Sequence, residues 1–382
     1  MENIEIKFNN LCNWISTNGG YVNPKLSLIN GKFGRTVIAN QKIENEDIFT
    51  LPKSLVLNNK NCNINIEDDK FTDRDLTVIS LLKEYYKPNS FWKDYLNLLP
   101  SLSEFKDHPL VIYIKGNFPN VSENVSIKIE KLHSEFVSLY ERFTELNNKN
   151  KIVESFNRNE LLWAFLTAST RMWTNIGLVP FADLLQHSNR SNMILSDKDS
   201  SFFMMSESID EGEEVFDNYA LNDDLTLFTN FGFVESSDVS VLSINFMFEE
   251  TILDSLKSSI LNRKKIAPIN ISSLGINQNL MRFIRINLID QNDLKIINLS
   301  DDELGNSIIS LENELRCLRK VKNRSNYFLS ENEIKFIQGD RESLSDIEKQ
   351  IFDLLSKINN LKVQINQFIN NYWMSLLSDT NY

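Results

Sequence analysis

Apolar positions along the chain change their spacing from one region to the next. In residues 1 to 60 they come in short pieces separated by turn residues. Gly31-Lys32-Phe33-Gly34 precedes the apolar run Thr36-Val37-Ile38-Ala39, and Ile48-Phe49-Thr50-Leu51 ends at Pro52, which predicts short strands. From about residue 70 to 170 the spacing turns helical. Leu76, Ile79 and the run from Leu82 to Tyr86 repeat at helical intervals, and Phe91 to Leu96 continues the pattern until Leu99-Pro100 stops it. Further helical runs go from Ser126 to Leu146 and from Glu160 to Arg171. Residues 176 to 245 return to short strands, Ser201 to Met205 and Glu214 to Phe216, with Gly212 at a turn.

After about residue 250 the pattern is helical to the end. Ile347, Ile351, Leu354, Ile358, Leu361, Ile365 and Phe368 follow in alternating steps of four and three, a heptad seam, and Ser345 with Glu348 predicts a capping box at its start. Such a stripe more often packs within its own lobe than joins two chains, so a monomer is expected. The order predicts an α+β fold: an N-terminal β part (1–70), a helical insertion (71–170), a second β part (171–245) and a helical lobe (246–382). Strand and helix do not alternate as a doubly wound sheet requires.

Charge and cysteine content narrow the function classes. A formal net charge of -12 repels phosphate backbones and favours a basic protein or peptide as partner over nucleic acid. Cys12, Cys62 and Cys317 lie far apart, which excludes a disulfide framework or a Cys-rich zinc site and fits the reducing cytoplasm or nucleus. With only His108, His133 and His187, and no H-x-H or H-E-x-x-H, no metal site is expected. The start MENIEIKFNN has no basic stretch before an apolar core, so no signal peptide is expected, and no run approaches the ~20 apolar residues that cross a bilayer.

The phosphate-binding loop and the G-x-G-x-x-G turn are both missing. Residues 171–188, RMWTNIGLVPFADLLQHS, and 209–235, IDEGEEVFDNYALNDDLTLFTNFGFVE, instead concentrate unusual features. Together they resemble the SET-domain core, in the branch typified by the Rubisco large-subunit methyltransferase, which includes an actin-histidine methyltransferase. There an "R … P-x-A-D-x-x-N-H" segment is followed by "G-E-E-V … N-Y" and then "Y-G-F". Upstream, Gly31 to Arg35 with Leu51-Pro52 is similar to the first cofactor loop of that branch, and Leu81 to Pro100 to the start of its helical insertion. The likeness covers about residues 30 to 240.

The resemblance implies an S-adenosylmethionine-dependent methyltransferase acting on a lysine of a non-histone protein, with a SET-type β domain split by a helical insertion and a helical substrate-binding lobe. It implies Tyr219 as the catalytic residue. Lys32, Phe33, Gly34, Gln186, His187 and Tyr219 are implied at the cofactor, and Arg171, Asn175, Asp183 and Phe231 on the substrate side. Gln186 departs from the family asparagine. Phe231 stands where many relatives have tyrosine, which leaves room for a second or third methyl group. The chemistry matches these residue types: methyl transfer spreads charge and rewards in-line positioning, and the amine must be neutral although free lysine has a pKa near ~10.4. A desolvated aromatic channel beside a sulfonium cation lowers that value. Histidine methylation, a catalytically silent peptide-binding module, and a helical scaffold assembled through the heptad seam are the other readings that the sequence leaves open.

Overall fold

The computed structural model describes residues 4–31, 34–66, 68–188, 191, 194–198, 201–219, 223–235, 241–243, 270–272, 275–276, 278–298, 303–325 and 329–379. Chain contacts separate two compact units. The first takes in residues 1–118, 126–219 and 229–232; the second takes in 119–125, 220–228 and 233–382.

In the first unit, helix α1 (Ile4–Thr17) opens the chain, where only strands were expected from the sequence. Its buried Phe8, Leu11 and Ile15 are three and four residues apart, the stripe of a helix laid on a core. Strand β1 (Tyr21–Val22) follows, then a hairpin of β2 (Leu26–Gly31) and β3 (Gly34–Ala39), and the long strand β4 (Ile43–Pro52). The expected runs at 36–39 and 48–52 thus fall within strands.

The helical insertion begins with α2 (Asp73–Tyr86), which Thr72 and Asp75 cap reciprocally. It does not continue through Phe91 to Leu96 as the spacing suggested. Lys87 turns extended before Pro88, whose ring disfavours a helical predecessor, and only a single turn, α3 (Lys93–Leu96), forms beyond it. Helices α4 (Pro109–Ile114), α5 (Glu123–Asn150) and α6 (Arg158–Arg171) complete the insertion. Residues Leu161 to Ala168 of α6 are buried without a break, so this helix runs through the core and delivers Arg171 at its end.

The chain then returns to short strands: the antiparallel pair β5 (Met172–Trp173) and β6 (Gly177–Leu178), then β7 (Gln186–His187), β8 (Ile194–Lys198), β9 (Ser201–Ile209) and β10 (Phe216–Asp217). The main sheet has the order β1-β4-β9-β8 with every pair antiparallel. Pairing of β4 with β9 joins segments about 150 residues apart in sequence, which closes the β part around the insertion. β7 and β10 pair in parallel, Gln186 opposite Phe216 and His187 opposite Asp217.

The second unit contains the single turn α7 (Asp224–Thr226) and the helices α8 (Gln278–Asn287), α9 (Leu311–Ser325), α10 (Glu331–Ile337) and α11 (Asp346–Asp379). Added to this helical region is a small sheet of β11 (Val241–Ser243), β12 (Asn270–Ser272) and β13 (Gly275–Ile276). The heptad seam of α11 is spent inside the unit: Ile351, Leu354, Ile358, Leu361 and Ile365 are buried, with Leu361 and Ile365 against Cys317, Leu318 and Val321 of α9. Phe368 alone of that stripe is 41% exposed. Half of the expected capping box is present, since the Ser345 N–H donates to Glu348 at 3.0 Å, while the Ser345 hydroxyl donates to the same carboxylate. No described helix is long and apolar enough to cross a membrane.

Candidate active site

The site is assembled at the turn where the chain leaves β6. Phe181 is fully buried at φ +74°, a left-handed conformation that is costly for a bulky side chain. Its ring packs against Phe49 at 5.4 Å and Phe8 at 6.2 Å, and this packing holds the bend in place. The bend starts a 3-10 turn, Ala182–Leu184, which presents Asp183 inward and delivers the Leu185 carbonyl, Gln186 and His187 in succession.

Asp183 is buried and meets α6 and α3 at once. The Tyr95 hydroxyl donates to its Oδ2 at 2.6 Å; Arg171 donates to its backbone carbonyl at 2.6 Å and lies 3.6 Å from the same Oδ2. The other carboxylate oxygen, Oδ1, has no hydrogen-bond partner among the described residues. Burial raises the Asp183 pKa; Arg171 and the Tyr95 hydroxyl pull it back only in part. Tyr95 itself is held well above the ordinary phenol value, first by burial and then by the neighbouring Asp183 charge.

Tyr219 follows β10 and is tied at both ends. Its backbone N–H donates to His187 Nδ1 at 3.0 Å, and its hydroxyl donates to the Leu185 carbonyl at 2.7 Å. Since Nδ1 accepts, the neutral His187 ring carries its proton on Nε2. The Tyr219 ring lies between two others, His187 at 5.1 Å and Phe231 at 5.1 Å with 31° between planes. Burial raises the Tyr219 phenol pKa, with Arg171 opposing, so the group is a neutral phenol at physiological pH and not a base. Its donor is committed to the Leu185 carbonyl.

The hairpin β2–β3 borders this group. Gln186 donates its side-chain amide to the Arg35 carbonyl at 2.8 Å, so the amide that departs from the family pattern ties β7 to β3. Gly34 has φ +106°, which its lack of a side chain permits, and no described residue beyond its chain neighbours lies within 4 Å of where a Cβ would stand. β3 also pairs with the Gly-Glu-Glu-Val segment: the Ala39 N–H donates to Glu213, and Val215 donates to Val37 at 2.8 Å. Arg35 reaches the Leu98 carbonyl and Glu104, and a cleft of about 730 Å³ opens beside it between Leu99, Pro100, Glu104 and Trp163, a volume of small-molecule size.

Seven of the residues singled out in the sequence therefore fall into one bonded group with its border: Gly34, Arg171, Asp183, Gln186, His187, Tyr219 and Phe231. Asn175 is placed otherwise. It occupies the exposed tip of the β5–β6 hairpin at φ +61°, and none of the bonds or ring contacts above involves it. Lys32 and Phe33 lie outside the described residues. Tyr95, Arg35 and the Leu185 carbonyl belong to the group and were not foreseen. Tyr95 carries a signal only in hindsight, as a fully buried hydroxyl within what looked like helix periodicity, and a backbone carbonyl carries none.

A sheet split by a helical insertion, with a tyrosine in contact with a histidine and a phenylalanine beside a buried aspartate paired to an arginine, defines a class. Residues 34–220 match the sequence model of the SET domain. Among curated relatives, it is 27% identical over 180 residues to the chloroplastic [fructose-bisphosphate aldolase]-lysine N-methyltransferase of Arabidopsis thaliana, covering 42% of this chain and 37% of the relative. It is 23% identical over 367 residues to the actin-histidine N-methyltransferase of Homo sapiens, covering 84% of this chain and 61% of that protein. The chain thus spans less than two thirds of these relatives' length. Among solved structures, Rubisco LSMT bound to sinefungin and monomethyllysine superimposes with a TM-score of 0.59 at 18% identity, covering 98% of this chain and 93% of that one, which establishes the fold.

Proposed function

We propose that this protein is an S-adenosylmethionine-dependent protein-lysine N-methyltransferase acting on a non-histone protein. The observation that carries the reading is the state of Tyr219: a neutral, half-buried phenol, its donor spent on the Leu185 carbonyl, its ring in tilted contact with His187 and Phe231. An oxygen fixed in this way accepts an N–H from an incoming amine and points the nitrogen lone pair along one direction. Aromatic walls exclude water from that amine and favour its neutral, nucleophilic form.

The residues present fit the cofactor. Among the described residues, the positive-φ Gly34 leaves steric room on the β2–β3 hairpin that borders the Tyr219 group. Gly34, the 186–187 segment and Tyr219 would hold it, with Lys32 and Phe33 from the adjoining loop, while Arg171 and Asp183 would lie on the substrate side. When bound, S-adenosylmethionine supplies an electrophilic methyl group on a sulfonium. The Leu185 carbonyl, already oriented by Tyr219, is suited to weak C–H···O contact with such a methyl. Because Tyr219 stays protonated, it is not the base that takes the amine proton.

Histidine as acceptor is the second reading; the match to the actin-histidine enzyme across 84% of the chain favours it. We further place the protein in the cytosol or nucleus as a monomer. Its cysteines are free, and its heptad seam is buried in its own unit.

The test uses titration calorimetry with S-adenosylmethionine and transfer of its labelled methyl into a proteome from cells lacking the protein, with hydrolysis to amino acids. Saturable binding below ~1 mM and label in methyl-lysine are expected. Label in methyl-histidine selects the second reading. Tyr219→Phe should bind within about 3-fold of the parent yet transfer at least ~100-fold more slowly. Absence of binding removes the enzyme and leaves a peptide-binding module.

A further inference from the structure

His108 takes no part in the site as described, yet both of its ring nitrogens are committed. It is buried at the start of α4, where Nδ1 accepts the Leu110 N–H at 3.2 Å and caps the helix. Its Nε2 lies 3.0 Å from the backbone carbonyl of Asn230. Because Nδ1 is an acceptor, the single proton of the neutral ring is on Nε2 and is donated to that carbonyl. Burial pushes the imidazole pKa down to about 4, so this tautomer holds at physiological pH. Phe105 meets the ring edge-on at 6.4 Å.

Gly232 closes the other side. It has φ +81°, and a Cβ there would stand 2.9 Å from His108 Cδ2. The imidazole thus holds the Asn230–Gly232 turn by a hydrogen bond before Phe231 and lies so near Gly232 after it that a side chain there would not fit. Phe231 is the residue whose ring faces Tyr219 at 5.1 Å.

We infer that His108 is a positioning residue for the aromatic wall: it fixes the backbone of Phe231, hence the distance from Phe231 to Tyr219, and so sets how many methyl groups the acceptor nitrogen can carry. This rests on the methyltransferase reading for its consequence and on geometry alone for the latch.

The ordinary alternative is that His108 only caps α4. Two substitutions separate the roles, because asparagine mimics Nδ1 of histidine and glutamine mimics Nε2. His108→Asn keeps the cap and loses the reach to Asn230; His108→Gln keeps the reach and weakens the cap. If His108 positions Phe231, His108→Asn should keep its Tm, lower kcat about 10-fold with the cofactor KM within about 2-fold, and shift the ratio of mono- to di- and trimethyl product. His108→Gln should melt lower and keep the parental product ratio. The reverse pattern, or unchanged products in both, overturns the inference.

A readout independent of activity is the 19F resonance of 4-fluorophenylalanine placed at position 231. It should move or broaden in His108→Asn and match the parent in His108→Gln. If the parent transfers no methyl group, the function has failed while this resonance still decides the latch; an unchanged resonance in both variants rejects the latch itself.

Discussion

Both compact units set an arginine against a buried carboxylate, and they treat the pair in opposite ways. In the second unit Arg285 and Glu314 form a closed fork. Nε donates to Oε2 at 2.6 Å and Nη2 to Oε1 at 2.7 Å, the Tyr372 hydroxyl adds a contact to Oε1, and Arg285 Nη1 reaches the carbonyls of Gly305 and Asn306. In the SET-domain unit, Arg171 spends its shortest bond on the Asp183 main chain, and one Asp183 oxygen is left with no partner among the described residues. A buried polar group is normally satisfied, and one left over costs stability. The closed pair satisfies its carboxylate on both oxygens; the open pair leaves one oxygen without a partner among the described residues.

The largest effect is expected in the closed pair. Glu314→Ala strands a buried guanidinium and should cost about 3–5 kcal/mol in chemical denaturation of the full chain. A loss below about 1 kcal/mol would erase the distinction between the two pairs.

The next effect concerns Asp217, buried opposite His187 in the β7–β10 pair, whose pKa burial pushes up to about 6, with the Asn218 N–H opposing. A carboxyl raised on folding is protonated more readily in the folded than in the unfolded chain. Its ionisation therefore destabilises the fold increasingly as pH rises through about 4 to 6, by up to about 3 kcal/mol above that window. Asp217→Asn should thus raise the Tm at pH 7.5 and leave it unchanged near pH 4. His108 works with the opposite sign in an overlapping window. Its depressed pKa makes the unfolded chain bind the extra proton, so its contribution is present above pH 6.5 and is lost as pH falls through about 4. An Asp217→Asn melting profile that is parallel to the parent at every pH would rule out this account of Asp217.

The smallest effect on stability belongs to the open pair. Asp183→Asn retains an acceptor for Tyr95 and removes a carboxylate whose ionisation burial already disfavours, so unfolding should shift by no more than about 1 kcal/mol. Cofactor affinity or methyl transfer should nonetheless fall at least ~10-fold, the pattern of a residue kept for activity at some cost to stability. A stability loss as large as that of Glu314→Ala would make Asp183 a structural residue.

Much of the site was visible before the structure because its members are clustered in sequence: 171 to 187 and 212 to 232 hold Arg171, Asp183, Gln186, His187, Tyr219 and Phe231. What escaped notice came from elsewhere in the chain or from the main chain. Tyr95 and His108 reach the site across 88 and 122 residues of sequence, to Asp183 and Asn230 respectively. The missed helix α1 had its stripe in plain view at Phe8, Leu11 and Ile15, but so short a segment of mixed apolar spacing fits strand and helix alike. The break after Tyr86 was readable from Pro88 and was overridden by the periodicity on either side of it.

By itself, the sequence determined the order of β part, helical insertion, β part and helical lobe, because period and turn residues are local properties that each segment carries with it. It also displayed the SET-like motif residues, because they lie in two short stretches, 171–187 and 212–232. Only the tertiary structure decided that Phe181 is strained, that one Asp183 oxygen has no partner among the described residues, that Gln186 is spent on Arg35 and that His108 bonds the turn beside Phe231. Each of these is a contact between segments far apart in the chain, and the burial that gives it its energy exists only once the core has closed.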